Sequence, residues 1–146
     1  MKRKAFIKNS ALTAFSISTF GIKNSFSNSM ATANTIKVNS NCRTNRIFEL
    51  AKFGLDDKGR GYRVAYTKAD IEGRAWFMDL MKKAGLNPII DAAGNIIGKR
   101  KGKNASLKPI AFGSHIDMVP DGGNYDGTVG SIGALEIIET LNENNI

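Results

Sequence analysis

The sequence predicts an α/β fold, and two observations carry that expectation. Short apolar runs bounded by glycine, proline and asparagine alternate with longer segments in which apolar residues recur at helical spacing. The composition, 42% apolar and 23% charged over 146 residues, is that of an ordinary globular chain with room for one modest domain. No internal repeat and no linker divides the part from Asn34 to Ile146.

Residues 1–33 read as a signal-peptide-like leader outside the fold. A basic start is followed by the run Ala11 to Ile22, too short and too rich in hydroxyls to span a bilayer, and Ala31-Thr-Ala33 offers a small-x-small cleavage site. The opening Lys2-Arg3-Lys4-Ala5-Phe6-Ile7-Lys8 is similar to the twin-arginine export motif, with Lys4 in place of one arginine. The expectation is an exported, periplasmic protein, by that route or by the general secretory one. Cys42, the only cysteine, has no internal disulfide partner and says little about compartment.

Beyond a polar lead, Ile47, Leu50, Ala51 and Phe53 keep helical spacing and predict a helix over Arg46 to Phe53 that Gly54 can end. Tyr62 to Tyr66 is short and compatible with an extended strand. Thr67, with Asp70 three residues on, is a variant of the capping box and opens a helix. Its predicted apolar stripe is Ile71, Ala75, Met78 and Leu80 to Met81, with Lys82 and Lys83 at the negative end and Gly85 as the stop. Trp76, Phe77 and the methionines are most simply core. Ile89-Ile90 and Ile96-Ile97, joined through Gly94-Asn95, predict a β-hairpin. Ile110, Ala111 and Phe112, between breakers, predict a buried strand. Finally, Val129, Ile132, Leu135, Ile138 and Leu141 predict a helix over Thr128 to Glu143. Gly130, Gly133 and Ala134 suit close approach to the sheet beneath it, and Glu136, Glu139 and Glu143 read as its solvated face.

The net charge of +8 suggests nucleic-acid binding until it is located. Lys2, Arg3, Lys4, Lys8 and Lys23 belong to the leader, which leaves 16 basic against 13 acidic residues in the rest. A second knot, Lys99, Arg100, Lys101, Lys103 and Lys108, falls in a loop with no interleaved aromatic residue. A solvated loop is the simpler reading, and no nucleic-acid partner is expected.

Function is expected around His115, the chain's only histidine, at the end of the predicted 110–112 strand. In open α/β sheets the ligand crevice lies at the carboxyl ends of strands. If the chain stays extended, His115 and Asp117 point to the same side, so an imidazole could bind a metal while the carboxylate behind it fixes the ring. Asp126 follows the turn Asp121-Gly122-Gly123-Asn124, which can fold back and bring a hard oxygen ligand towards His115. His-x-Asp by itself is a common chance pattern and equally suits a hydrogen-bonded structural histidine.

The longer string Gly-Ser-His-Ile-Asp-Met-Val-Pro-Asp-Gly-Gly-Asn-Tyr-Asp-Gly-Thr-Val-Gly, Gly113 to Gly130, is far more specific. It resembles the first metal-binding segment of the M20 metallohydrolases, within their amidase/hydantoinase/carbamoylase branch. Arg63 to Asp70, the helix through Leu86 and Asp91 to Gly98 resemble the stretches preceding that segment in N-carbamoyl-L-amino-acid hydrolases and allantoate amidohydrolases, so the likeness covers nearly everything from Cys42 to Glu143. The resemblance implies a partial, mixed-sheet, zinc-peptidase-like catalytic domain over residues 34–146, flanked by helices and lacking an inserted dimerisation domain. It implies that His115 binds one metal, Asp126 bridges two, and Asp117 orients His115. The implied cofactors are two divalent ions, Zn²⁺ first, with Mn²⁺, Co²⁺ and Ni²⁺ suited to the same donors. The implied substrate is a small amide or ureido compound, and the whole enzyme is implied to be a homodimer without a membrane span.

The sequence departs from the family by stopping before the Glu-Glu pair that supplies the base and before the later histidines. This chain alone is therefore expected to be inactive. Two alternatives stay open: an M20 aminoacylase or exopeptidase, and a noncatalytic truncated gene product.

Overall fold

The structure is a computed structural model that describes residues 36–146, and the expected leader, cleavage site and export motif fall outside them. Residues Ile36–Ile146 form one unit. The first helix among the described residues, α1, spans Ser40–Ala51, starting six residues before the predicted Arg46 because Asn39 caps it: its side chain accepts from the Cys42 amide at 3.0 Å. Ile47, Leu50 and Ala51 are its buried face. Strand β1, Gly61–Arg63, follows, and its burial alternates, with Tyr62 exposed between buried neighbours. Helix α2, Lys68–Lys83, is capped by Thr67, whose hydroxyl accepts from the Asp70 amide at 3.4 Å. Asp70 reaches past the cap and accepts from the Tyr66 amide at 2.8 Å.

The face that α2 buries differs from the predicted stripe. Phe77 and Met81 are core, with Trp76 and Leu80 packed against them, but Ile71 and Ala75 are exposed and Asp70 and Gly73 are buried in their place. The helix is turned because Arg63 lies beneath it: a Cβ on Gly73 would come within 3.0 Å of Arg63 Cδ. Periodicity sees apolar residues only, so it could not register a face shaped around an arginine.

The hairpin forms as expected, with β2 (Ile89–Ile90) antiparallel to β3 (Ile96–Ile97). Asp91 closes it, its carboxylate accepting from the Ala93 and Asn95 amides at 3.0 and 2.8 Å. The basic loop is largely exposed, yet it also ties down the residues that follow the last helix, Arg100 donating to the Ile146 carbonyl and Lys103 to that of Asn145.

Residues 110–112 are a correction. They are not a buried strand: Ile110 is 88% exposed and Phe112 half exposed, and no strand lies beside them among the described residues. An apolar run becomes a buried strand only when a neighbour supplies the ladder and the cover, and neither is present. The strand in this region is instead β4, Met118–Gly122, antiparallel to β1. Both sheets among the described residues are two-stranded and antiparallel, so the mixed sheet is not formed within them.

Helix α3 spans Thr128–Glu143, as predicted, with Ile132 and Leu135 fully buried. Gly130 allows a close approach, but to the loop residue Ser114 and not to the expected sheet, since a Cβ there would lie 2.7 Å from that of Ser114, whereas Gly133 faces open space. The acidic residues of α3 are a second correction: Glu136 is buried and Glu139 half-buried, and only Glu143 is exposed. Helix α1 docks on that face and brings Arg46, which donates to both carboxylate oxygens of Glu139 and lies 3.7 Å from Glu136. The core joins Ile47 and Leu50 of α1, Phe77 and Met81 of α2, Ile116, and Ile132 and Leu135 of α3. Among the described residues no helix is long and apolar enough to cross a membrane.

Candidate metal centre

The segment bearing His115 lies just before β4, anchored between β1 and α3. The Ile116 side chain is buried in the core, which turns its neighbours outward to one side. The two successive carbonyls are held by different elements: Ser131 of α3 donates its hydroxyl to the His115 carbonyl at 3.1 Å, and Arg63 of β1 donates Nε–H to that of Ile116 at 2.8 Å. With the backbone fixed, His115 Nδ1 and Asp117 Oδ1 are 2.9 Å apart. A carboxylate at this place can only accept, so the contact suits the tautomer that carries its proton on Nδ1 and its lone pair on Nε2, facing away from Asp117.

Asp126 is brought round by the turn that leads into α3, and its Oδ2 lies 3.7 Å from His115 Nε2. The turn succeeds because residue 127 is glycine. Its φ is +65°, and a Cβ there would overlap Cε1, Nδ1 and Nε2 of the imidazole, so the ring rests on bare backbone. The separation of 3.7 Å is too long for a hydrogen bond. Two donors sharing one tetrahedral ion at ordinary Zn–N and Zn–O lengths would stand about 3.4 Å apart. One neutral imidazole nitrogen and one hard carboxylate oxygen, at nearly that spacing, fit a divalent cation between them. The site is open: the His115 side chain is 51% exposed and that of Asp126 is 89% exposed.

Sequence reasoning missed Arg63. It is 1% exposed, and besides the Ile116 carbonyl its guanidinium serves those of Leu50 and Phe53 at the end of α1, at 2.8 and 2.7 Å. Burial lowers its pKa, and the nearby charges of Asp70 and Asp117 act in the opposite sense. The available signal was a guanidinium set between aromatic and apolar neighbours in a strand-like run. A second cluster, Cys42, Glu136 and Glu139, has one donor atom from each residue within 4.8 Å of the others. Arg46 already provides the counter-charge there, its own pKa raised chiefly by the hydrogen bond to Glu139. A cation would have to displace it, so the geometry favours an ion pair at this place.

Comparison with known proteins agrees with a hydrolase-type α/β unit. No family profile matches the chain. It is 41% identical over 109 residues to the ureidoglycolate hydrolase of Arabidopsis thaliana, covering 75% of this chain and 23% of that protein. It is 34% identical over 101 residues to the N-carbamoyl-L-amino acid amidohydrolase of Geobacillus stearothermophilus, covering 69% and 25%. Among solved structures, a hydantoinase/carbamoylase family amidase from Burkholderia vietnamiensis superposes with a TM-score of 0.73 at 37% identity, over 77% of this chain and 27% of that one. The chain thus belongs to the hydantoinase/carbamoylase amidases, as the counterpart of their N-terminal part. It spans about a quarter of the length of the relatives it matches.

Proposed function

We propose that the protein to which this chain belongs is a metal-dependent amidohydrolase cleaving a linear C–N bond in an N-carbamoyl amino acid or a ureido acid of the allantoate or ureidoglycolate type. The observation that carries this reading is the convergence of His115 Nε2 and Asp126 Oδ2, 3.7 Å apart, with Asp117 behind the ring. The names of the relatives supply the substrate class. Bound divalent ions, two in the whole protein and Zn²⁺ first among the suitable metals, would polarise the scissile carbonyl and make water nucleophilic at neutral pH. His115 offers the Nε2 lone pair. Asp117 would keep the proton on Nδ1 and fix the orientation of the ring. Asp126 has two carboxylate oxygens with which to span two ions.

Catalysis is proposed for the whole protein and not for this part of it, because the chain holds one histidine and a quarter of the relatives' length. Further ligands, the base and the remaining strands of the sheet belong to the rest, and the exposed Ile110 and Phe112 are the apolar surface on which such a sheet would continue. Export to the periplasm and homodimerisation are part of the same proposal.

The test is an assay of the product of the complete reading frame on N-carbamoyl-L-amino acids, allantoate, ureidoglycolate and dipeptides. Hydrolysis of a carbamoyl or ureido substrate, lost on chelation and restored by Zn²⁺ or Mn²⁺, supports the reading. Activity on dipeptides alone would favour the aminoacylase or exopeptidase, and no hydrolysis at all would favour a noncatalytic product.

A further inference from the structure

Arg63 has no role in the reading above, and it is the largest fully buried side chain among the described residues. A guanidinium is costly to remove from water, and burial commonly goes with a carboxylate partner in direct contact. Here its hydrogen bonds go to backbone carbonyls instead: Leu50 and Phe53, at the C-terminal end of α1 and the negative end of its dipole, where the Leu50 oxygen also accepts from the Phe53 amide, and Ile116, between the two site residues His115 and Asp117. Its chain also fills the space that Gly73 leaves on α2. One side chain on β1 thereby ties together α1, α2 and the peptide on which the site is built.

The direction of that tie matters. Successive carbonyls along an extended segment point to opposite sides. Ser131 holds the carbonyl of His115 and Arg63 holds the next one, so the peptide between the imidazole and its carboxylate is prevented from rotating. A rotation there would swing Asp117 away from Nδ1 and free the ring to adopt the other tautomer. Planar, forked donors can serve the α1 terminus and Ile116 at once, and a lysine ammonium on a flexible stem cannot reproduce that geometry.

We propose that Arg63 is a positioning residue for the candidate metal centre, holding the Ile116 carbonyl from the end of α1 so that Asp117 stays behind the His115 ring and Nε2 faces Asp126. The proposal rests on the metal-centre reading, and its test separates the two. Because the chain has a single histidine, untagged protein labelled with ¹⁵N-histidine reports one ring. The ring shifts are recorded without metal, at a pH above the imidazole range, and Zn²⁺ alone is then titrated by calorimetry. The variants are R63K, R63M and, as a control for general destabilisation, M81A in the core of α2.

Wild type and M81A are expected to show the Nδ1–H tautomer and to bind Zn²⁺ alike. R63K and R63M are expected to show mixed tautomers and Zn²⁺ binding weakened about 10-fold, the loss typical when a group supporting a metal ligand is removed. If R63M does not fold, R63K decides. Wild-type ring shifts and affinity in folded R63K, or an equal change in M81A, would overturn the proposal. A wild type that holds the Nδ1–H tautomer, lost in R63K, but binds no Zn²⁺ would overturn the metal reading and leave the positioning role standing.

Discussion

At the scale of single residues, the candidate centre depends on an absence and a proton. The absence is the Cβ of residue 127, whose place the His115 ring occupies. Gly127→Ala is expected to push the ring off Asp126 and to cost about 1–3 kcal/mol for a non-glycine residue held at positive φ, measured by urea unfolding and by loss of Zn²⁺ binding. The proton is the one on Nδ1. Asp117→Asn should leave the fold intact, since Asp117 is partly exposed, while weakening Zn²⁺ binding by about 10- to 100-fold. Unchanged affinity in that variant would deny Asp117 its role. The proximity of residues 115, 117 and 126 was legible in the sequence, because alternation along an extended chain and a glycine-rich turn are local rules. Arg63 was not, because its partners are carbonyls 10 to 53 residues away, and a carbonyl leaves no trace in side-chain pattern.

At the scale of elements, helix α3 and the hairpin were legible because each is decided by its own periodicity or turn. The run 110–112 and the acidic face of α3 were misread because both depend on what lies opposite. Helix α1 supplies Arg46 to that face, and its removal would leave Glu136 buried without its counter-charge. Arg46→Met should therefore destabilise the protein by about 2 kcal/mol in thermal or urea unfolding, the scale of a lost hydrogen bond to a charged group, whereas Glu143→Gln should have no measurable effect. The hairpin gives a pH prediction. Hydrogen bonds, first from the Asn95 side chain and then from its backbone, lower the Asp91 pKa below the usual carboxylate value. A carboxyl depressed in the folded state contributes its stabilisation fully above the unfolded value and loses it as pH falls through the folded one. The Ala93 and Asn95 amide signals should thus hold steady down through the ordinary carboxylate range and shift only below it. In Asp91→Asn that acid-dependent shift should be absent.

At the scale of the whole molecule, the three helices and two small sheets among the described residues hold one open corner, and that corner carries the family string. The matched stretch is about a quarter of the relatives' length; within it the Asp126 side chain is 89% exposed and apolar Ile110 also stands at the surface. The fold class follows from alternating apolar runs, but the extent of the sheet does not, because strands exist in pairs and a partner can lie in another part of a protein. Anomalous diffraction at the zinc edge, from crystals of this chain grown with Zn²⁺, tests the central claim most directly. The account predicts a peak about 2.0–2.2 Å from both Nε2 of His115 and a carboxylate oxygen of Asp126, with Nδ1 still against Asp117. A peak confined to Cys42, Glu136 and Glu139, or a metal on Nδ1 with the ring turned away from Asp117, would contradict it.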